Sequence, residues 1–438
     1  MTDVASFTYA KQYHITAQCT SPLRTGDVSG DNSLILHTSE GIPMIQAASI
    51  AGVLRSWFKE ESISKELFGD SNDSGKEDQT SSVTVSDGIF QDTATIIRPR
   101  LRIDSRTGAG MNQHKFELTS VPPGAEFQFS LLLKTQGKNI VLETKLEEAL
   151  SALNQGLLTL GGQHSNGFGQ VKLTKILTHS YDLTTEQGRT DWLDDAKCQT
   201  PLVNLPDVCK DNEKVTFCLT GVSDHFLVKS GKTEKRIIQK NDKQQTQSVT
   251  SAMKNPDGSY VLPGSSLKGV LRSRVERIAA YKNVPNQVEA LFGREAVGED
   301  EDGLAGQLCV REFTMKNPKQ QCITRTRLDK FTGGVMQKSL FTEETLSNKV
   351  QITLEVEKAE PEGYALLFYA FRDLAMGLYG FGSENGVGRG YFKPEHSKLT
   401  VQKGQQNCTF TFGANLKAAG NTGFIKNWLE ALDKKEEN

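Results

Sequence analysis

Two halves of this chain carry the same landmarks in the same order, and that duplication limits the possible folds more than any local pattern. Ile42-Pro43-Met44-Ile45-Gln46-Ala47-Ala48-Ser49-Ile50-Ala51-Gly52-Val53-Leu54-Arg55 returns as Tyr260-Val261-Leu262-Pro263-Gly264-Ser265-Ser266-Leu267-Lys268-Gly269-Val270-Leu271-Arg272. Leu67-Phe68-Gly69 returns as Leu291-Phe292-Gly293, and Ile103-Asp104 with Thr107-Gly108 as Leu328-Asp329 with Thr332-Gly333. Asn166-Gly167-Phe168-Gly169 aligns with Asn385-Gly386-Val387-Gly388. The offsets run from 217 (52 to 269) to 225 (104 to 329). A period of ~20–50 residues would mean a solenoid, whereas one this long is a whole fold. The 438 residues therefore read as two related domains, 1–195 and 213–438. The linker is placed at 196–212, in a stretch where Pro201, Pro206 and the acids Glu186, Asp191, Asp194, Asp195 and Asp207 interrupt both patterns.

Each copy reads strand, helix, strands, helix, Gly-rich turn, strand: a β-α-β-β-α-β order of the α+β class with long insertions. In the first copy, alternation predicts a strand over Tyr13–Thr20 and apolar spacing a helix over Ala47–Phe58, with Ser49 near its cap. A polar segment, Asp70–Ser82, reads as a disordered loop. Strands are expected over Thr95–Ile103, Glu126–Lys134 and Gln170–Thr178, and a helix over Leu142–Leu158. In the second copy the first strand falls at Val215–Val222 and the first helix at Ser265–Ala280. Gln351–Glu357 and Ala365–Tyr369 read as an internal strand and its continuation.

Charge is nearly balanced, 51 Lys and Arg against 53 Asp and Glu, so bulk charge does not announce a polyanionic partner. Local charge does. Arg98, Arg100, Arg102 and Arg106 face one acid, Asp104; Lys229, Lys232, Lys235, Arg236, Lys240 and Lys243 face Glu234 and Asp242. Segregated basic segments let a neutral protein hold a phosphate backbone on one face. Seven cysteines show no CxxC pair and no zinc-finger spacing, which suits reduced thiols in a cytoplasmic protein. No signal-like segment or long apolar run is present, so no membrane role is expected.

The segment Pro263–Gly269 places small residues, two hydroxyls (Ser265, Ser266) and free N–H groups at a helix start, with Lys268 and Arg272 one turn apart. That arrangement suits a phosphate. It lacks the Gly-x4-Gly-Lys-Ser/Thr order of a nucleotide triphosphatase loop. The two Gly-rich turns follow a helix and precede a strand, the reverse of a dinucleotide fingerprint, and glycine there allows close backbone approach.

Together these residues resemble the repeat-associated mysterious protein (RAMP) superfamily of CRISPR effector proteins, in particular the tandem backbone subunit of type III, III-D-like complexes. The Pro-Gly-Ser-Ser-Leu-Lys-Gly motif with its following Arg is strong in the second copy and degenerate in the first, Gln46–Arg55. The resemblance implies a ferredoxin-like, RRM-related core in each half and an inserted β-hairpin thumb. It also implies binding of CRISPR guide RNA and complementary target RNA beside other effector subunits. Guide RNA must be held without sequence preference, so phosphate and sugar contacts should dominate. Arg55, Ser265, Ser266, Lys268, Arg272 and Arg389, with Gly167, Gly169, Gly386 and Gly388, are the expected contacts. The thumbs are expected around Ser105–Phe116 and Phe331–Leu346, with Met111 and Met336 as apolar wedges.

The family's target-cleaving residue is an aspartate in the loop after the first strand. Asp31, 12 positions before Pro43 in Asp31-Asn32-Ser33-Leu34-Ile35, matches it; Asp27 in the same loop competes. A carboxylate there would hold a divalent cation, Mg2+, beside the scissile phosphate and help align the ribose 2′-OH. The second copy has no acid in the equivalent Gln247-Ser248-Val249-Thr250, and Asp242 is the nearest substitute. Two other readings compete: a non-catalytic RNA-binding scaffold, and a metal-independent guide-processing ribonuclease, for which His14 is the candidate acid or base.

Overall fold

The computed structural model describes residues 7–26, 34–70, 80–104, 107, 110–194, 199–208, 214–240, 243–294 and 303–434. The chain forms two compact units that do not follow a single cut in sequence. The first is Met1–Ile97, Glu117–His164 and Phe168–Lys210; the second is Arg98–Phe116, Ser165–Gly167 and Asp211–Asn438.

The first unit is built on the strand Tyr9–Cys19, whose alternate residues Tyr13, Ile15, Ala17 and Cys19 are buried while His14 is exposed. It lies between Glu126–Thr135 and Val171–Asp182, antiparallel to both, with Ile15 opposite Phe129 and Ile176. Val83–Val85 and Gly88–Phe90 pair with the far side of Glu126–Thr135. Taking these short strands as the second of four, the order is second, third, first, fourth: the ferredoxin-like sheet. The helices Ala47–Arg55 and Ile140–Asn154 bury Ile50, Leu54, Leu142, Leu146, Leu150 and Leu153 in one core with the sheet. Each such side chain contributes about 1.5–3 kcal/mol when fully buried. Lys11 adds an ionic tie from strand to helix, 2.7 Å from Glu143 and 3.0 Å from Glu147.

The second unit repeats the arrangement. Val215–Phe226 lies between Val335–Val356 and Lys398–Lys403, and Leu308–Val310 pairs with the far side of Val335–Val356. The helix Gly264–Tyr281 buries Leu267, Leu271, Val275 and Ala279, four residues apart along one stripe. Two more strands, Gln406–Thr411 and Lys417–Gly420, extend the sheet, and the helix Gly423–Lys434 brings Trp428 to 4.7 Å from the Tyr364 ring.

Three local expectations change. Ala365–Tyr369 is not a strand but part of the helix Pro361–Ala375, opened by Pro361 in its first turn. Residues all round it are buried, Tyr364 to Phe368 in succession with Ala370, Phe371 and Leu374, so no apolar stripe distinguishes it from a strand. Ser49 does not cap its helix; the Ala47 N–H donates instead to the Asp87 carboxylate at 2.7 Å. Residues Glu186–Leu193 form a helix, capped by the Thr185 hydroxyl, and Thr200–Pro201 adds an edge strand to the first sheet. Most of the Asp70–Ser82 segment, 71–79, lies outside the described residues. Among the described residues no helix is long and apolar enough to cross a membrane, and Cys19, Cys218, Cys309, Cys322 and Cys408 are free thiols.

Candidate nucleic-acid interface

Within the second unit the helix Gly264–Tyr281 starts at a point of close backbone approach. A Cβ on Gly264 would collide with the carbonyl oxygens of Val310 and Asn166, and one on Gly167 with the Val310–Glu312 backbone. Ser165–Gly167, from the first-half Gly-rich turn, therefore packs against this helix start. Lys268 Nζ reaches the Ser165 hydroxyl at 3.2 Å. The N-cap, Pro263, makes no side-chain cap bond, and the first turn holds no acid. Burial, then the Arg272 guanidinium, hold Lys268 below the usual lysine range. The Ser266 N–H turns back to Pro263 O at 3.0 Å, which leaves a half-buried ammonium at a helix N-terminus with no side-chain cap and no acid in its first turn, a setting that suits a bound phosphate. Arg272, 41 % exposed, pairs with Glu276 at 3.0 Å one turn on. Ser265 and Ser266 are half-buried at the helix start, and Arg55 is half-buried in the last turn of the first-copy helix.

Two glycines of the motif separate packing from solvation. Gly264→Ala should destabilise the protein by about 1–3 kcal/mol, because backbone must shift to admit the methyl. Gly269 is exposed with open space around its Cβ position, so Gly269→Ala should stabilise by up to ~1 kcal/mol through helix propensity. Urea midpoints of the two variants check both signs.

The Gly-rich turns correspond at a different register from the one the shared Asn-Gly suggests. Gly167 and Gly388 have φ of 81° and 82°, and Gly169 and Gly390 have φ of 83° and 74°. Gly169 O accepts from Leu160 N, and Gly390 O from Phe381 N, both at 2.9 Å. The true offset is 221 residues (167 to 388, 169 to 390), so Gly388 and Gly390 are the partners of Gly167 and Gly169. Gly386 lacks a positive φ and faces open space. The left-handed conformation, not the neighbouring Asn, identifies the equivalent positions.

Of the basic segments, part is internal. Arg98 is 4 % exposed, donates to Asn255 Oδ1 at 2.5 Å and lies 3.3 Å from Glu312. Burial, partly offset by Glu312, pulls Arg100 down to about 10. Arg102 is exposed, and Arg106 lies outside the described residues. The Lys229–Lys243 run folds as the hairpin Lys229–Lys240 with Lys243–Ala252. Lys232 and Lys235 are exposed on it, whereas Lys229 pairs with Glu384 at 2.6 Å and Arg236 with Glu344 at 2.9 Å. Arg389, expected at a phosphate, is instead buried, 2.6 Å from Glu343.

Glu343 and Glu344 are adjacent on one strand, point to opposite faces, and are both buried. Burial pushes the Glu344 carboxyl up, but hydrogen bonds from Arg236, the Tyr260 hydroxyl (2.7 Å) and Ala252 N–H (3.0 Å) outweigh it and leave it below the usual range. A depressed folded-state pKa means that stability present above the unfolded carboxylate value is lost as pH falls through it. Tm should therefore fall on acidification from about pH 5. Glu344→Gln should lower Tm at pH 7 and flatten that acid limb, readable in calorimetric scans across the range.

Two further hairpins stand where thumbs are expected: Ile96–Ile103 with Gly110–Ser120, and Lys319–Leu328 with the first part of Val335–Val356. In both, the Asp of the repeated Ile/Leu-Asp-x-x-Thr-Gly element accepts from the N–H of the Thr three residues on. Asp104 Oδ1 accepts from Thr107 N at 2.8 Å, and Asp329 Oδ1 from Thr332 N at 2.8 Å and Phe331 N at 3.0 Å. Met111 is 37 % exposed and Met336 40 %, but Phe331, within the second turn, is 85 % exposed. An aromatic inside a polar turn is the sequence signal for this exposed side chain.

The model of the RAMP superfamily matches residues 16–172 and 222–393, more than half of the chain. The chain belongs to the RAMP superfamily. Its two matched regions fall one on each of the duplicated folds, and RAMP proteins bind CRISPR RNA within multi-subunit complexes. No curated protein matches the chain.

The RAMP acid candidates Asp27, Asp31 and Asp242 lie outside the described residues. What flanks the first two is defined. Thr25 Oγ1 accepts from Leu36 N at 3.0 Å, Arg24 O accepts from Gly162 N at 2.8 Å, and Pro22 O from Gly169 N at 2.8 Å. Thr25 and Leu36, the described flanks of that loop, are thus tied to each other, and the approach to it is fastened to the first-unit Gly-rich turn. Gln247–Thr250 lies in the strand Lys243–Ala252, with Val249 buried opposite Thr342. Among the described residues no group of three His, Cys, Asp or Glu side chains could hold a metal. His14 Nδ1 lies 2.7 Å from the Ser130 hydroxyl.

Proposed function

We propose that this RAMP protein is a guide-RNA-binding backbone subunit of a type III, III-D-like CRISPR effector, and that it cuts complementary target RNA mainly through its first domain. The observation that carries the reading is the start of the helix Gly264–Tyr281. Two hydroxyls, Lys268 and Arg272 sit there at a helix N-terminus against a glycine turn, with no side-chain cap and no acid in the first turn. Such a site grips phosphate irrespective of base, as a guide of any sequence requires. Lys232 and Lys235 are further exposed cations on the hairpin Lys229–Ala252 of the same unit.

Cutting is assigned to Asp31, with Asp27 subordinate, on a loop whose flanks are fastened beside a glycine turn. Their carboxylates would hold Mg2+, which lowers the charge on a scissile phosphate when bound. The second domain is assigned a gripping role. The chain after its first strand folds as a basic hairpin, and the stretch aligned with Asp31 carries no acid. A scaffold without catalysis keeps every contact in this reading except the carboxylates. Co-purification from cells that express the neighbouring effector subunits and a guide array tests the class. RNA of defined length should elute with the protein and those subunits, and a protein free of RNA and partners would overturn the reading.

A further inference from the structure

Glu384, in the Gly-rich turn of the second unit, stands in the left-handed region of backbone space, with φ of 67° and ψ of 30°. Glutamate takes that conformation at a cost, whereas glycine, abundant in the same turn, takes it freely. The same backbone recurs in the first copy at Gln163, φ 65°, 221 residues earlier. Both turns thus need the conformation, and only the second copy places a charge on it. A strained residue held in place by its surroundings points to a role for its side chain.

That carboxylate joins the turn to two hairpins of the same unit. Lys229, which opens the hairpin strand Lys229–Lys240, donates Nζ to Glu384 Oε1 at 2.6 Å. Arg325, on the hairpin strand Lys319–Leu328, donates Nη2 to Glu384 Oε2. Burial alone would raise the Glu384 carboxyl, but the bonds from Lys229 and Arg325 outweigh it and hold it below the usual range, so it carries its charge. Behind these groups the buried Glu343 serves the same cations, with Arg389 Nη1 at 2.6 Å, Arg325 Nε at 3.2 Å and Lys229 Nζ at 3.4 Å. Among these five side chains, three cations meet two carboxylates. Arg389 keeps its counter-charge without Glu384. The other two cations, Lys229 and Arg325, have side chains 40 % and 33 % exposed, so an anion from solvent can reach them.

We propose that Glu384 is an internal stand-in for an RNA phosphate: it occupies Lys229 and Arg325 until a phosphate of the bound strand takes its place. The inference rests on the RNA-binding role proposed above. Carboxylate and phosphate present the same acceptors to a guanidinium, so the exchange keeps the geometry of the site. Partly exposed ion pairs contribute little net stability, so losing them costs little, while the incoming strand releases its counterions. The device sets affinity, because RNA meets free cations only in the fraction of molecules from which Glu384 has withdrawn.

Fluorescence anisotropy of the full chain on a labelled single-stranded RNA of mixed sequence tests the exchange. Glu384→Gln, which puts at this backbone position the residue the first copy holds there, should tighten RNA binding by about threefold or more at low salt. Glu384→Gly removes strain and carboxylate together and should do the same, which keeps the test open if the glutamine variant does not fold; thermal unfolding decides that. Lys229→Ala combined with Arg325→Ala should abolish the gain. Glu430→Gln, at an exposed position on the helix Gly423–Lys434, removes an equal charge elsewhere and should change affinity by less than about twofold. A gain that survives the loss of Lys229 and Arg325, or that Glu430→Gln matches, would be an effect of bulk charge and would overturn the inference. Unchanged or weaker binding in the folded Glu384 variants would overturn it too, with RNA binding by the parent left standing. RNA binding by none of the proteins would overturn both the inference and the RNA-binding role.

Discussion

Asp31→Ala should remove one cut from a complementary RNA in the assembled complex with Mg2+, slowing it at least about 100-fold, while RNA affinity stays within about threefold. The split follows from what a carboxylate can do at a phosphate. It repels the backbone unless a cation intervenes, so its loss takes nothing from the grip. Without it, the cation that would reduce charge on the reacting phosphate loses its anchor. Asp27→Ala should do less. A gel of target fragments reads all of this, and an unchanged pattern in Asp31→Ala would remove the assignment. Asp242→Ala probes the asymmetry between the halves. If it abolishes a distinct second cut, both domains are nucleases and the gripping role given to the second is wrong.

The fold was legible in the sequence because its landmarks are positions where backbone geometry admits few residues. Gly69 and Gly293 end equivalent helices with φ of 76° and 81°, and Asp104 and Asp329 make equivalent bonds to Thr107 and Thr332. Such constraints survive duplication when side-chain identity does not. The two-residue slip in the final Gly-rich turn has the same origin. Asn166-Gly167 and Asn385-Gly386 match as letters, but positive φ is required at Gly167 and Gly388.

Less of the candidate site was legible, because ion pairing is decided across the fold. Arg98 and Arg389 read as exposed cations, yet their acids stand 214 and 46 residues away, at Glu312 and Glu343. Nothing local marks Glu343-Glu344 as buried on both faces of a strand. The residues proposed to hold phosphate at Pro263–Arg272 lie close in sequence, because a helix start carries its own amides. Its remaining wall, Ser165–Gly167, comes from the other copy of the repeat, where the local sequence shows only a turn.

That wall bears on how strongly the helix start should bind. Lys268→Ala combined with Arg272→Ala is expected to weaken guide retention for all sequences alike. Two lost phosphate contacts should reduce the slope of log K against log salt by roughly 1.4, at ~0.7 per contact on a single strand. Extrapolated from a reference near 1 M, this is a loss of about 25-fold at 0.1 M salt. The two residues should not contribute alike. Arg272 is 41 % exposed and already neutralised by Glu276, so a phosphate must compete with that carboxylate for it. Lys268 is more deeply placed, held below the ordinary lysine range by burial and by Arg272, and it donates to Ser165, an uncharged hydroxyl. A bound phosphate would raise it back, so Lys268→Ala alone should account for most of the loss. Salt titrations of the two single variants on guides of unrelated sequence measure the division. Equal slopes in parent and double variant would show that this helix end binds no phosphate.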